Sequence, residues 1–267
     1  MPGRHVYFLD DHLFGNARFA GALFEGMAGM GRVWQAAGTV KAVLQPGLLE
    51  QAVAAGLRSL FVGFETLNPT NLAAQHKYQN LDRDYNAAIR RLHDLGVMVN
   101  ASFVFGMDDD NADVFDRTVA WAVDQGIETA TFHILTPYPS TVLYQRMAAE
   151  GRLLHSRWNL YDTRHVVYRP ARLNAAQLEA GYWRAYRAFY RWEAILRGSA
   201  THASWRTRLR HVAYAGGWKK CEPFWDGVIR AHRVTRLLPL LETVLAAFGA
   251  HSSAPATAYR LRRTHAI

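Results

Sequence analysis

Short apolar runs rich in Val, Phe, Ile and Thr alternate along the chain with stretches in which apolar residues recur at helical spacing. Five of the runs predict β-strands, at 5–9, 32–40, 59–65, 98–106 and 129–137. Apolar residues three and four apart predict amphipathic helices at Phe19–Met27, Leu48–Val53, Ala88–Leu95 and Val114–Ala122. The pattern is a repeated strand–helix unit.

Three of the predicted helices end in a glycine that is followed directly by a strand. Gly56, Gly96 and Gly126 stand at this position, where the backbone commonly turns into a left-handed conformation that glycine adopts without strain. The strands follow one another at intervals of roughly 25 to 40 residues, as in βαβ units with right-handed crossovers. The sequence therefore predicts a parallel sheet, whose strands we expect to be buried on both faces and mostly apolar throughout.

The character of the sequence changes after Pro139. The stretch STVLYQRMAAEGRLL predicts one more helix, and an aromatic and basic segment without clear period, RWNLYDTRHVVYRPARL, follows it. Asn174 is predicted to cap a long amphipathic helix over 175–197, and further helical stretches are predicted near 200–214 and 222–248. We expect three regions, namely an α/β part over 1–152, a segment with the long helix over 153–198, and a basic helical tail over 199–267.

Composition indicates a globular protein with a basic excess. The chain has 267 residues, of which 50% are hydrophobic, and 31 Lys and Arg against 22 Asp and Glu give a formal net charge of +9. The Arg-rich part after residue 152 suits nucleic acid, anionic lipid or an acidic partner, although a solvated helix face is the favoured interpretation. No charged leader with an apolar core and no apolar run of about 18 residues is found, so we expect a cytoplasmic protein.

The single cysteine, Cys221, limits the metal chemistry of the chain. It excludes an internal disulfide and any multi-thiolate metal site built by these 267 residues alone. Twelve histidines are present but none forms an H-x-x-x-H or H-E-x-x-H pair, so no metal site is predicted. His133, in the predicted strand TFHIL, either points into a barrel interior or is a hydrogen-bonded core residue, which we favour.

Polar residues follow the predicted strands at the ends where parallel α/β sheets collect functional groups. They are Asp10 and Asp11 after the first strand, Glu65 and Thr66 after the third, Asp108 after the fourth, and Thr136, Pro137 and Tyr138 after the fifth. The paired aspartates suit an ammonium group or a metal, and Glu65 suits ribose hydroxyls. Each residue alone serves equally well to cap a helix or hold a turn. The run DDDN at 108–111 resembles an acidic metal cradle, but an N-cap at Asp110 or Asn111 is favoured.

Four segments together resemble the radical S-adenosylmethionine superfamily, and most closely the branch in which a cobalamin-binding domain precedes the radical domain. They are VYFLDDHLFGN, AAGLRSLFVGFETLNPTNLAAQHKYQN, LGVMVNASFVFGMDDDNADVFDRTVAWA and TFHILTPYPSTVLYQRMAAEGRL. The resemblance covers roughly residues 3 to 198, and its motifs FxDD, GFE, KxQN, FxxGxDxD and TPxPxT occur in the order and spacing of the family. It implies an α/β fold: a partial, open TIM-like barrel of about five parallel strands with a C-terminal helical extension.

The resemblance also implies where S-adenosylmethionine would bind. It places Asp10 and Asp11 at the methionyl amino group and Glu65, with Phe64, at the ribose. The stretch from Val104 to Asp108 would line the pocket near the adenine or methionine portion. Thr136 and Pro137 would belong to the last strand end of the rim, followed by Ser140, where the family usually has glycine.

The family's CxxxCxxC loop, which ligates a four-iron four-sulfur cluster, is absent from this sequence, as is the cobalamin domain. The resemblance therefore implies an enzyme of iron–sulfur-dependent S-adenosylmethionine cleavage, with methyl transfer or another radical modification, of which this chain is the C-terminal part. A shortened gene, a shifted reading frame and a split protein remain open. We expect the chain to bind neither cluster nor cobalamin alone and to be inactive by itself.

Two alternatives concern partners. In the first, the chain is the subunit of a split enzyme, and an N-terminal half or partner subunit supplies the first strand and the cluster, pairing with the exposed edge of HVYFL. In the second, it binds an anionic membrane surface, peripherally, through the stretch DGVIRAHRVTRLLPLLETVLAAFG with Arg230, Arg233 and Arg236. No standard nucleic-acid module is recognised, and no nucleic acid is expected as a partner.

Overall fold

A computed structural model of the protein describes residues 4–10, 12–74 and 84–220, all of which belong to one compact unit. Five parallel strands form one sheet in the order in which they occur along the chain. They are β1 (His5–Tyr7), β2 (Val33–Gly38), β3 (Leu57–Glu65), β4 (Met98–Phe105) and β5 (Thr129–Ile134). The sheet curls into a half-barrel with helices, which confirms the predicted α/β fold class, a partial TIM-like barrel.

Helices connect the strands and follow the last one. They are α1 (Ala17–Met27), α2 (Val40–Leu44), α3 (Leu48–Ala54), α4 (Pro69–Ala74), α5 (Tyr85–Asp94), α6 (Val114–Asp124), α7 (Val142–Ala149), α8 (Ala175–Phe189), α9 (Trp192–Ala200) and α10 (Trp205–Val212). A short 3-10 turn at Trp158–Leu160 and a π-helix at Ala213–Lys219 complete the described elements. The short helices α2 and α4 were not predicted, because neither is long enough to show a helical period.

Local signals place the helix ends where the sequence indicated. Asn174 caps α8 and forms a capping box with Gln177. Gly56, Gly96 and Gly126 all have positive φ, as expected of glycines that end helices. A Cβ atom at Gly56 would lie 2.0 Å from the carbonyl oxygen of Arg32, so this turn admits no side chain.

The long helix predicted over 175–197 is in fact two helices, and this prediction is wrong in that respect. α8 ends at Phe189, and the extended backbone of Arg191 (φ −68°, ψ 144°) starts α9 in a new direction. At the break, the Tyr190 hydroxyl donates to the carbonyl of Ala130 (2.8 Å) and accepts from its N–H (3.0 Å). A continuous amphipathic period does not reveal this interruption, because the tyrosine's partner lies 60 residues away.

Stacked aromatic rings fill the space between the sheet and its helices. The rings of Phe64, Phe103 and Phe132 stack across β3, β4 and β5 with centroids 5.8 and 5.9 Å apart. Phe105 stacks on Phe132 at 5.5 Å, and Trp121 from α6 meets Phe103 edge-on. All four phenylalanines are at most 1% exposed. These contacts exclude solvent from the face of the sheet that packs against the helices.

The two edges of the sheet differ. Among the described residues, β1 pairs only with β2, so its other edge has no strand partner. The outer edge of β5 is covered by two tyrosine side chains and a loop. The Tyr190 hydroxyl bonds both backbone groups of Ala130, and the N–H of Phe132 donates to the Tyr186 hydroxyl (3.2 Å). The N–H of Ile134 donates to the carbonyl of Thr163 in the loop (2.7 Å).

Several predictions fall beyond the part of the chain that the structure describes. The helix predicted near 222–248, with Arg230, Arg233 and Arg236, lies there, as do Cys221 and most of the tail predicted over 199–267. The region boundaries at 152 and 198 remain predictions. Among the described helices, none has the length and apolar character needed to cross a bilayer.

The turn before α7 carries a residue that its conformation does not favour. Thr141 N–H bonds the carbonyl of Tyr138 (3.2 Å), and Pro139 and Ser140 occupy the centre of this four-residue turn. Ser140 has φ 68°, a value that suits glycine at the third position of a type II turn. The family's glycine at this position is thus explained by backbone geometry.

We expect Ser140→Gly to stabilise the protein by about 0.5–1 kcal/mol, because glycine relieves left-handed strain of about 1–2 kcal/mol at a smaller entropic cost. Urea unfolding monitored by circular dichroism measures the change. Ser140→Ala is the matched control, since it keeps a Cβ atom and should leave the stability nearly unchanged. A decrease in the stability of Ser140→Gly would contradict the assignment of strain to this residue.

Candidate active site

The face of the sheet opposite the helices is partly exposed and polar. Residues alternate along each strand, so that Phe61, Gly63 and Glu65 of β3 share one face while Leu60, Val62 and Phe64 are buried on the other. The same alternation continues across the sheet, and the polar residues that it places on the open face are Gln35, Asn100, Ser102, Thr131 and His133. The expectation of strands buried on both faces is therefore wrong, because the helices of the described residues pack on one side of the sheet.

Glu65 lies at the carboxyl end of β3 in a strained conformation. Its φ is 65°, and the N–H of Thr66 bonds the carbonyl of Phe64 (2.8 Å), which closes a three-residue γ-turn centred on Glu65. Tyr85 also donates to the Phe64 carbonyl (2.9 Å), so that α5 holds this turn from behind. A positive φ at a residue other than glycine costs on the order of 1–3 kcal/mol and often marks a functional position.

The lack of a side chain at Gly63 accommodates the carboxylate of Glu65. A Cβ atom at Gly63 would lie 3.1 Å from Glu65 Oε1, so the glycine admits the folded-back carboxylate. Glu65 pairs in register with Phe103, and the next residue, Val104, pairs with His133. Glu65, Val104 and His133 thus form a row across the carboxyl ends of three adjacent strands.

His133 points to the open face and not into the helix-side core. Its Nδ1 atom lies 3.1 Å from Oγ1 of Thr163, a residue that itself has φ 65°. Burial lowers the pKa of His133 below its usual range, the Glu65 carboxylate raises it and Arg164 lowers it. The imidazole is therefore neutral at pH 7 and able to donate or accept one hydrogen bond.

Asn100 supplies a further polar group on this face. Its Oδ1 atom is buried and has no hydrogen-bond partner among the described residues. Buried polar atoms without partners are rare in native proteins. This acceptor lies beneath the open face and is itself shielded from solvent.

The three aspartates of the loop after β4 serve three different networks. Asp108 forms ion pairs with Arg152 (2.6 Å) and Arg146 (3.4 Å). Asp109 accepts from Asn68 (2.8 Å) and pairs with Arg172. They do not form a common metal cradle.

The third aspartate, Asp110, is buried. Its Oδ2 atom accepts from the N–H groups of Gly106 (2.8 Å) and Met107 (3.0 Å), and Oδ1 accepts from Asn71 (2.7 Å). The predicted N-cap at Asp110 or Asn111 is wrong, because α6 starts at Val114 with Asp113 at the cap position. Asp110 instead closes the loop over its own backbone and ties it to α4.

The remaining predicted site residues are dispersed. Asp10 is exposed beyond β1, and Asp11 lies outside the described residues. The Phe64 side chain is in the helix-side core with 0% exposure. Thr136 is buried, its hydroxyl donating to the carbonyl of Ile134 (2.9 Å), and Pro137 is buried beside it. The contacts predicted between these residues and a cosubstrate remain predictions.

Sequence reasoning missed the polar residues within the strands. Asn100 and Ser102 lie two positions apart in β4, and Thr131 lies two positions before His133 in β5, the one residue of this set that the sequence had singled out. This two-residue alternation of polar positions was the available signal, since it is typical of a strand with one open face.

Curated relatives share much of this chain. It is 31% identical over 190 residues to the bacteriochlorophyllide d C-12(1)-methyltransferase of Chlorobaculum tepidum, covering 71% of this chain and 41% of that protein. It is 31% identical over 156 residues to the hopanoid C-2 methylase of Rhodopseudomonas palustris, covering 56% and 30%. The chain thus spans less than half the length of these two relatives. Its homologues are radical S-adenosylmethionine enzymes.

This partial homology confirms the resemblance inferred from the motifs, since the homologues are methyltransferases and cyclases of the superfamily. A solved structure of the radical S-adenosylmethionine methyltransferase TsrM from Kitasatospora setae, with cobalamin and a [4Fe-4S] cluster bound, aligns over 55% of this chain and 29% of its own. The TM-score is 0.47 and the identity 14%. No family model matches the chain.

In this radical S-adenosylmethionine homologue, Asp110 gives the loop after β4 a pH dependence. Burial raises the pKa of Asp110 to about 6, whereas an unfolded Asp titrates near 3.9. Between these values the folded state binds more protons, so the stability that Asp110 contributes is complete below about pH 4 and is lost as the pH rises through about 6.

As the pH rises from 4 to 7, we therefore expect the free energy of unfolding of the wild type to fall by on the order of 2 kcal/mol relative to that of Asp110→Asn. Urea unfolding of both proteins at several pH values measures the difference. Asp113→Asn, which removes an exposed carboxylate nearby, should give a difference that does not vary with pH in this way. Parallel curves for the wild type and Asp110→Asn would show that Asp110 has an ordinary pKa.

Proposed function

We propose that this chain is the S-adenosylmethionine-binding portion of a methyltransferase-type radical enzyme. The cosubstrate would lie on the open face of the half-barrel, against the row formed by Glu65, Val104 and His133. The observation that carries the proposal is the strained γ-turn that holds Glu65 at the carboxyl end of β3. The relationship of this chain to methyltransferases supports methyl transfer as the reaction of the complete enzyme.

The chemistry of this face suits a nucleoside with a zwitterionic tail. Glu65 offers a carboxylate to ribose hydroxyls, which are hydrogen-bond donors. Neutral His133 can donate to a ring nitrogen or carboxylate. Asp10, which is exposed beyond β1, would attract an ammonium group. Each group matches one part of the cosubstrate.

The residues present do not fit an iron–sulfur cluster. A cluster of this kind needs several thiolates, and these 267 residues contain one cysteine. We infer that this chain alone does not cleave S-adenosylmethionine reductively, and that the thiolates come from a segment or subunit outside it. The edge of β1 that has no strand partner within residues 4–10, 12–74 and 84–220 is where such a segment would add a strand. Cobalamin, likewise, is not expected to bind this chain alone.

Glu65→Gln should weaken S-adenosylmethionine binding by about 10- to 150-fold, because a hydrogen bond to an ionised acceptor is worth about 1.5–3 kcal/mol. Isothermal titration calorimetry with the full chain measures the dissociation constant. Glu25→Gln, on an exposed position of α1, is the matched control and should bind as the wild type does.

Two results would count against this site. If the wild-type chain binds no S-adenosylmethionine, the proposed binding function is wrong. If Glu65→Gln binds with unchanged affinity while keeping the wild-type melting temperature, the cosubstrate lies elsewhere.

Anaerobic incubation of the chain with iron, sulfide and reductant should yield well under four irons per chain and no 5′-deoxyadenosine from S-adenosylmethionine, since a single thiolate cannot hold the cluster. Iron analysis and chromatography of the nucleoside products measure both quantities. Cys221→Ser should behave like the wild type. A full cluster with 5′-deoxyadenosine formation would refute inactivity, whereas activity restored only by a co-purifying CxxxCxxC protein would identify a split enzyme.

A further inference from the structure

A second group of ionisable side chains lies at the opposite end of the sheet from Glu65. Glu128 directly precedes β5, and its Oε2 atom accepts from the N–H of Val99 at the start of β4 (2.9 Å). His93 reaches it from the last turn of α5, and His202 from the residues that follow α9. We call these three residues the basal cluster.

The basal cluster is enclosed. The side chain of Glu128 is 1% exposed, that of His202 5% and that of His93 16%. His211 of α10 adjoins it, with Nδ1 3.1 Å from Nε2 of His202. Gly198 admits the His211 ring, because a Cβ atom there would lie 3.2 Å from two of its atoms. The fold therefore brings an acid and three imidazoles from distant parts of the chain into one buried place.

Of the two carboxylate oxygens of Glu128, one lacks a hydrogen-bond donor among the described residues. Its Oε2 atom faces Val99 N–H and His93 Nε2, the latter at 3.3 Å. Its Oε1 atom is buried without a hydrogen-bond partner among the described residues, and the nearest imidazole nitrogen, His202 Nε2, is 3.8 Å away. Leaving a buried carboxylate oxygen without a donor costs several kcal/mol unless a cation compensates. The arrangement calls for a positive charge beside Oε1.

The separations suit a metal ion between the side chains. One ligand atom from each residue of the basal cluster lies within 4.8 Å of the others. In a tetrahedral Zn²⁺ site with bonds of about 2.0–2.1 Å, neighbouring ligand atoms lie about 3.4 Å apart. His93 Nε2 lies 3.3 Å from Oε2 and His202 Nε2 lies 3.8 Å from Oε1. Because the three ligand atoms lie within 4.8 Å of one another, binding of one ion would draw them together by at most about 1.4 Å.

The donor set narrows the choice of ion. Two imidazoles and one carboxylate, with a third imidazole adjoining, are typical of Zn²⁺ and unlike the all-oxygen shells of Mg²⁺ and Ca²⁺. The enclosed position leaves no open side for a substrate, which is characteristic of a structural site.

We propose that His93, Glu128 and His202 bind one divalent transition-metal ion of the Zn²⁺ type, with His211 next to the fourth coordination position. The ion joins the amino ends of β4 and β5 to the helices α5, α9 and α10. It stabilises the base of the half-barrel and takes no part in chemistry at the rim. The site does not depend on the proposed cosubstrate function.

The experiment uses the full 267-residue chain without an affinity tag, stripped with a chelator and then titrated with Zn²⁺. We expect one Zn²⁺ per chain by elemental analysis after gel filtration, and an increase of several degrees in the melting temperature with Zn²⁺ at about 100 times its dissociation constant. Co²⁺ substituted for Zn²⁺ should give the strong visible absorption of a tetrahedral site. A chain that retains no Zn²⁺ and shows no melting shift would overturn the proposal.

Glu128→Gln and His202→Asn should each weaken Zn²⁺ binding by roughly 100-fold or more, and both should lose the Zn²⁺-induced melting shift. His165→Gln is the matched control, because His165 also faces a carboxylate, that of exposed Asp162 at 3.0 Å, and its loss should leave Zn²⁺ binding intact. Cys221→Ser should bind equally well, which excludes the thiol. If Glu128→Gln does not fold, His202→Asn decides, and wild-type Zn²⁺ affinity in that variant would refute the site.

Discussion

The stack of Phe64, Phe103 and Phe132 against the helix layer is the contact on which the rest of the structure depends. Each such aromatic pair contributes about 0.5–1.5 kcal/mol beyond the burial of its area. Because the rings come from three successive strands, the stack fixes the register of β3, β4 and β5 and keeps their carboxyl ends level. The opposite face of the same strands is then free to carry polar groups at defined separations.

The strain at Glu65 is tolerable for the same reason. The residue before it, Phe64, is locked in the stack, and its carbonyl is held by both Tyr85 and the N–H of Thr66. The γ-turn therefore cannot relax without disturbing the core. A rigid support of this kind keeps a side chain oriented before any ligand arrives, which lowers the entropy lost on binding.

Features that are determined by residues close together in the sequence could be predicted. Features that depend on contacts between distant residues could not. The five strands and the glycines that end three helices follow from hydrophobic period and from φ preferences within a few residues. The break at Tyr190 depends on Ala130, 60 residues away, and the basal cluster joins residues separated by 35 and 74 positions. The N-cap predicted at Asp110 or Asn111 was wrong because α6 starts only at Val114, and the Asp110 carboxylate instead bonds the N–H groups of Gly106 and Met107 and the side chain of Asn71. The sequence alone does not show which groups the Asp110 carboxylate contacts.

The tyrosine hydroxyls along β5 make the two edges of the sheet unequal as sites for the addition of a strand. Tyr190 and Tyr186 occupy the backbone groups that a neighbouring chain would need for pairing, so docking of another strand on that side is blocked. Such blocking protects against indiscriminate edge-to-edge association between copies of the protein. Within the described part of the sheet, β1 is then the edge at which a strand can be added, and the curvature already set by the five strands determines the direction in which the added strand would wrap.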